Sequence, residues 1–270
     1  MPRNELWIGA FYNPHLVREI LDAGELIDHL AMADPPRPAD PHFPKIRERF
    51  TLLLHDFLGQ LSEPVEGPAL DRARRLLADY RSPWAAEHLQ RVHTTDGDRF
   101  VDYVFPPLYT EDLLADYSRN ARALQEALGA PLAIEPIPTY LHLEAPGVMT
   151  EAEFVTRFFE ASGCDLILDI AHASLSARYA GRPAREFIAE LPLDRILEIH
   201  VAGTSIDPAL GDEWIGAEAP QPELLDLMLF AVERAPRLRA VTFDAFSGAL
   251  TGETLVAGLR AIRERLSVWK

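Results

Sequence analysis

Eight short apolar or β-rich runs alternate along this chain with segments of helical periodicity, and that alternation admits few architectures. The runs are "LWIGAFY" (6–12), "LIDHLAM" (26–32), "FTLLLHDF" (50–57), "WAAEHLQRV" (84–92), "PLAIEPI" (131–137), "CDLILDIA" (164–171), "RILEIHVAG" (195–203) and "RAVTFDAF" (239–246). Between most of them, apolar residues recur at helical spacing. "TEDLLADYSRNARALQEALG" (110–129) ends in Gly129, a helix-stop signal. "TEAEFVTRFFEASG" (150–163) opens on a Thr cap, carries Glu153 three residues later and closes on Gly163. "QPELLDLMLFAVERA" and "TGETLVAGLRAIRERL" repeat the arrangement. Eight alternations in about 250 residues predict a (β/α)8 TIM barrel, read here as one domain over 1–270. A doubly wound open sheet is the alternative, but no glycine-rich nucleotide loop follows the first run. The Pro-rich "ADPPRPADPHFPKI" (33–46) reads as a long loop after the second strand.

Composition bears on partners. With 26 Lys+Arg against 42 Asp+Glu the chain carries a net charge of -16, which repels phosphate backbones and argues against a general nucleic-acid binder. No stretch approaches the roughly 20 apolar residues that span a bilayer, and the first residues hold no secretion segment. A cytoplasmic location with no membrane partner is the expectation. The one cysteine, Cys164, excludes an internal disulfide framework and reads as a small buried thiol.

Side chains alternate faces along a strand, so parity shows which residues share a side. Leu53 goes with His55, Ala86 with His88, Ala133 with Glu135, and Ile167 with Asp169. Ile196, Glu198 and His200 form another set, as do Ala240, Thr242 and Asp244. If the opposite, aliphatic sets pack under the helices, then His55, His88, Glu135, Asp169, His200 and Asp244 project into the barrel at its C-terminal end. That is the end where such barrels place their chemistry, and His172 follows on the adjoining turn. Four histidines and three carboxylates converging in one cavity need a compensating positive charge, since buried carboxylates repel and are costly to desolvate. Imidazole with carboxylate favours iron, zinc or manganese, and seven candidate ligands exceed what one ion takes. Two or more metals are expected. Glu198, one layer deeper, either orients His200 or forms an internal ion pair. His15, His42, His93 and His142 read as solvated, and Asp28 and His29, placed at the end of the second strand, are left outside the set.

The ordered motifs "LLHDFLGQLS", "AEHLQRV", "LAIEPIPTYL", "MTEAEF", "GCDLILDIAH", "LEIHVAG" and "VTFDAF" resemble the multinuclear non-heme iron-dependent oxidases of the methanobactin-biosynthesis type. The likeness runs from about Leu53 to Asp244. It implies two or three irons that use dioxygen to remodel a residue, often cysteine, of a ribosomally made precursor peptide, or a related small thiol. It also implies a separate partner protein that presents the peptide. By position, His55 matches the family's His-Gly strand and His88 its Ser-Glu-His-Leu motif. Glu135 matches a Glu-Asn pair, here followed by Pro136. Asp169 and His172 match an Asp-x-x-Asn/His pair, and His200 an Ile-His-x-Ala-Gly strand. Asp244 stands where the family usually has Glu. Asp212 holds the first place of an Asp-x-His, but Trp214 replaces its His, which weighs against a third metal unless Glu213 substitutes. The second strand, "IDHLAMAD", also departs from the family's Glu and Asn.

The leading expectation is thus an iron- and dioxygen-dependent oxidase with metal ligands His55, His88, Glu135, Asp169, His172, His200, Asp212 and Asp244. Loops 33–46 and 203–223 would cover its mouth, and Tyr140 would gate it or serve as plain structure. Two alternatives stay open: a divalent-metal sugar isomerase or epimerase on a similar barrel, and a degenerate metal-binding protein that holds a peptide. The isomerase is disfavoured by the lack of a strand-end Lys. A metal-dependent nuclease fits the acidic charge poorly.

Overall fold

The fold rests on a closed ring of parallel strands. The structure is a computed structural model and describes residues 6–32, 41–57, 61–93, 100–142, 144–206, 213–245 and 249–268. The barrel strands are β1 (Trp7–Phe11), β2 (His29–Met32), β3 (Thr51–His55), β4 (Ala85–Leu89), β7 (Leu132–Pro136), β8 (Asp165–Asp169), β9 (Ile196–Val201) and β12 (Ala240–Phe243). They neighbour one another in chain order, and β1 pairs with β12 to close the ring. All eight expected runs are strands, and the (β/α)8 barrel is the observed architecture. The helices between them are α1 (Val17–Asp22), α2 (Phe43–Arg49), α3 (Gly67–Tyr80), α4 (Glu111–Leu128), α5 (Glu151–Ser162), α6 (Ile170–Tyr179), α7 (Ala184–Ala189) and α8 (Pro222–Val232), and α9 (Gly252–Ser267) follows the last strand.

The local signals act as their chemistry dictates. Thr150 accepts the Glu153 backbone N–H at 3.2 Å to start α5. Gly129 and Gly163 end α4 and α5 with φ of 66° and 74°, a left-handed turn that costs glycine little. Buried parallel strands need apolar residues on both faces. The outer face packs Ile134, Leu166, Leu168, Ile199 and Val241 under the helices. The inner face packs Leu53, Ala86, Ala133, Ile167 and Ala240 with Trp84 in a separate interior cluster. Three alanines among the inward positions leave room for that indole, and Trp7 stacks on it at 5.9 Å.

The structure corrects several expectations. The β8–β9 register shifts between Leu166 and Ile167, which face Ile196 and Glu198 in turn. Leu197, skipped in that register, therefore joins the interior cluster while Ile196 packs outward, the reverse of strict alternation. The fourth run does not continue to Val92: β4 stops at Leu89, and β5 (Arg91–His93) forms an antiparallel hairpin with β6 (Phe100–Phe105). Within the expected loop 203–223, β10 (Thr204–Ile206) and β11 (Glu213–Ile215) make a second hairpin. The C-terminal part of the Pro-rich segment is the start of α2, with Pro44 in its first turn, where a missing N–H is harmless; residues 33–40 lie outside the described residues. His29 opens β2 instead of ending it and points into the barrel, whereas Asp28 is exposed and accepts the Ile8 backbone N–H at 2.8 Å and Arg263 at 2.9 Å. His15 and His42 are exposed as expected. His142 is half-buried instead, with Nε2 3.1 Å from the Ser176 carbonyl; the side chain of His93 lies outside the described residues. Cys164 is fully buried, and burial pushes its thiol up to about 12. Among the described residues, no helix is long and apolar enough to cross a membrane.

Gly9 is where β1 comes closest to β2: a Cβ there would lie 2.1 Å from the His29 carbonyl oxygen. A backbone atom cannot step aside as a flexible side chain does. Gly9→Ala is therefore expected to cost about 3 kcal/mol of stability, read as a lowered midpoint in a urea unfolding curve.

Candidate metal centre

Six of the eight strands, β3, β4, β7, β8, β9 and β12, deliver one ligand-type side chain at their C-terminal ends, and Glu135 is where they meet. Its carboxylate is wholly buried at the end of β7. His55 Nε2 lies 3.2 Å from Oε2, His200 Nδ1 3.1 Å and His88 Nε2 3.6 Å, while His172 Nδ1 lies 3.1 Å from Oε1. Burial alone would raise the Glu135 pKa, but the surrounding imidazoles, His200 foremost, hold it well below the usual carboxylate range. Asp244 follows β12, half-buried, with Oδ2 3.7 Å from His200 Nδ1. Asp169 ends β8 and caps α6: its Oδ1 accepts the His172 backbone N–H at 2.6 Å. That bond fixes the Asp169 rotamer and sets the helix that carries His172.

The donors sort into two overlapping groups. His55, Glu135 and His200 offer ligand atoms within 4.8 Å of one another, and so do Glu135, Asp169, His200 and Asp244. Glu135 and His200 belong to both. Several of these atoms are also left without hydrogen bonds although buried: both oxygens of Glu135, Oδ2 of Asp169 and Nδ1 of His200. Close approach outside hydrogen-bond geometry gathers these donor atoms around a common point. Buried polar atoms are seldom left so, and a cation satisfies them together. The donor set of imidazole and carboxylate suits iron, zinc or manganese, so the residues present fit the metal that the sequence implies.

A second layer holds the first in place. His200 Nε2 is 3.2 Å from Glu198 Oε1, which also accepts the Thr242 hydroxyl at 2.5 Å. Since that hydroxyl donates to Glu198, its oxygen accepts from His29 Nε2, 2.8 Å away. Trp84 Nε1 donates to the other Glu198 oxygen at 3.1 Å. Burial disfavours the charge on Glu198, but its bond to His200 outweighs this and lowers it to about 2. Burial lowers His29 to about 4, so His29 is neutral. Glu198 therefore takes the Nε2–H of His200 and leaves Nδ1 facing Glu135 and Asp244. Of its two readings, the orienting one is what the geometry favours. Phe11 meets the rings of His55 and His200 edge-on at 5.2 and 5.3 Å and closes the apolar side.

His88 sits apart from the two groups. It falls instead with Asp56 and Glu87, two residues that the sequence reading passed over. Strand parity puts Glu87 on the face opposite to His88, and Asp56 opposite to His55. The only cue was adjacency in "LLHDF" and "AAEHL". His29 and Thr242 were likewise unassigned. Asp212 lies outside the described residues, as do the side chains of Glu213 and Trp214.

A groove of about 740 Å³ opens beside the centre. Phe105, Leu108, Leu141, Val148, Met149 and Phe187 line it, with Leu141 74% and Phe105 50% exposed. Its floor carries Glu151, buried and pushed up to about 7 by burial, with Oε1 accepting the Ser176 hydroxyl at 3.2 Å. Ser176 stands one helical turn beyond His172 on α6, so the groove adjoins the imidazole that faces Glu135. Tyr140 lines the same groove, its ring 5.1 Å from Tyr179.

The D-psicose 3-epimerase solved in the presence of D-fructose superposes with a TM-score of 0.58 at 14% identity, over 97% of each chain. Endonuclease IV from Thermus thermophilus does so with a TM-score of 0.54 at 16% identity, over 97% of this chain and 99% of that one. These likenesses concern the fold alone. In sequence, a "UPF0276 protein" of Caulobacter vibrioides is 33% identical over 191 residues, 70% of this chain and 66% of that one. A "UPF0276 protein" of Rhizobium meliloti is 28% identical over 73% of this chain and 59% of its own length. The chain thus spans a little under two thirds of the length of these relatives. Residues 25–236 match the family described as "RiPP precursor modification enzyme MbnB/TglH/ChrH", and the chain belongs to that family.

Proposed function

We propose that this chain is an iron- and dioxygen-dependent oxidase of the cytoplasm that modifies a residue, cysteine, of a ribosomally made precursor peptide. The observation that supports it most is the sharing of Glu135 and His200 between two donor groups, an arrangement suited to two ions side by side. His55 and His200 would hold one ion with Glu135, and Asp169 and Asp244 the next, with His172 and His88 at the flanks. Bound iron would supply the redox chemistry with dioxygen, and a thiolate is a soft ligand suited to it. The chain's own residues do the rest. Glu198 keeps the Nε2–H of His200, Asp169 spends one oxygen on the α6 cap and keeps the other for the centre, and Phe11 excludes water from the two rings. The groove of Phe105, Leu108 and Leu141 would take apolar side chains of the peptide next to the modified residue.

The deciding test is elemental analysis with iron spectroscopy on protein purified without oxygen, followed by exposure to air. Two or more irons per chain that change oxidation state on exposure support the oxidase. Manganese or zinc, inert to oxygen, would move the function to the sugar-isomerase type, and a chain that takes up no metal would leave only a peptide-binding role.

Three outcomes follow from the geometry. Glu135→Gln removes the carboxylate common to both groups, so metal content and peptide-dependent oxygen consumption should fall together, the latter about 100-fold or more. Leu141→Asp puts a charge on the groove wall and leaves the centre untouched. It should raise KM for a peptide substrate about 10-fold with kcat nearly unchanged in steady-state kinetics.

The third concerns pH. Burial opposes a charge on His88 and His172, but Asp56 and Glu135 around the first and Asp169 and Glu135 around the second raise both to about 9. In the metal-free chain both imidazoles hold a proton at neutral pH, and a cation competes with that proton. Metal affinity should therefore rise as pH is raised from 6 towards 9. Calorimetric titrations in buffers of different ionisation enthalpy should record proton release on binding.

A further inference from the structure

Beyond the two groups around Glu135, Asp56, Glu87 and His88 form a third convergence, each bringing a ligand-type atom within 4.8 Å of the others. Asp56 follows directly on β3 and has a φ of 47°. This left-handed conformation is disfavoured for most side chains and tolerated by Asp and Asn. The turn carries its carboxylate across to β4, where Oδ1 lies 3.2 Å from His88 Nδ1. That nitrogen is buried and its contact with Asp56 falls outside hydrogen-bond geometry, so a cation seated between the two donors would take the place of the His88 proton. Bonds of about 2.1 Å to one cation, set at tetrahedral or octahedral angles, separate their donor atoms by roughly 3.0–3.4 Å, which brackets the spacing seen. Glu87 is fully buried beneath, with Oε1 accepting the His88 backbone N–H at 3.1 Å, and Gln90 Nε2 steadies Asp56 Oδ1 at 3.2 Å. The other nitrogen of His88 points the opposite way, 3.4 Å from His55 Nε2. The imidazole is a partition between the buried centre and this shoulder.

We infer that Asp56, Glu87 and His88 form a separate seat for one divalent transition-metal ion, of the class that imidazole and carboxylate favour. Asp56 is 36% and His88 18% exposed at the side chain, against at most 3% for His55, Glu135 and His200. An ion on the shoulder therefore exchanges with solvent more readily than those beneath it. The inference rests on the reading of the barrel mouth as a metal centre, since His88 adjoins both, but it requires no oxygen chemistry.

The test is a titration of the metal-stripped full chain with Co(II) alone, counting bound equivalents by elemental analysis and following the visible absorption of the bound ion. Asp56→Asn tolerates the left-handed backbone, and Glu87→Gln preserves shape. Each should lose about one equivalent, the most weakly held, with the remaining absorption unchanged. Asp56→Gly, which relieves the backbone strain, should lose the same equivalent, and it decides the matter if a carboxamide variant fails to fold by circular dichroism. Glu135→Gln should lose the tighter equivalents and keep this one. Unaltered stoichiometry and affinity in the Asp56 and Glu87 variants would overturn the seat. A Glu135→Gln chain that loses nothing would instead overturn the reading of the central metal site, with the Asp56 variants still deciding the shoulder.

Discussion

A carboxylate buried at the axis of a barrel is the interaction on which this structure depends. Glu135 has no access to water, and an ionised carboxylate in such a place is stable only if positive charge surrounds it. Four imidazoles gather round it at 3.1–3.6 Å, drawn from β3, β4, α6 and β9. No single strand could supply them. The closed ring can, because parallel strands in chain order place every C-terminal end at one rim.

The layer beneath ties the rim to the barrel interior. Glu198, Thr242, His29 and Trp84 form a connected hydrogen-bonded set spanning β9, β12, β2 and the residue before β4. Gly9 lets β2 come close enough for His29 to reach it. The charge on Glu198 is kept by the proton on His200, and the orientation of His200 is kept by Glu198. A polar network connected in this way sets the tautomer and rotamer of His200, which a purely apolar barrel interior would leave free. The likeness to an epimerase and to an endonuclease shows how tolerant this scaffold is. A ring shared with proteins so differently named does not by itself fix a chemistry; that is left to the residues it carries.

Much of the centre was legible without coordinates. Period-two alternation marked the strands, and on six of them a polar residue near the end stood out against aliphatic neighbours. His55, Glu135, Asp169, His200 and Asp244 were readable in that way and are brought together. Asp56 and Glu87 were not, for a definite reason. Parity assumes extended backbone, and at Asp56 the chain leaves it with a φ of 47°, swinging a nominally outward side chain onto His88. At Ile196–Glu198 the register shift defeats the same rule and exchanges the places of Ile196 and Leu197.

From the chain alone came the barrel, the end of it that bears the chemistry, and the excess of acid and imidazole that calls for a cation. These depend on local periodicity and on charge, which neighbours in sequence already express. The partition of the donors into groups came only with the closed barrel. So did the choice of which nitrogen of His200 faces the centre, the left-handed turn that brings Asp56 to His88, and the apolar groove walled by residues from 105 to 187. Each of these joins side chains from strands far apart in sequence, and their spacing is set by ring closure and packing, which no local pattern encodes.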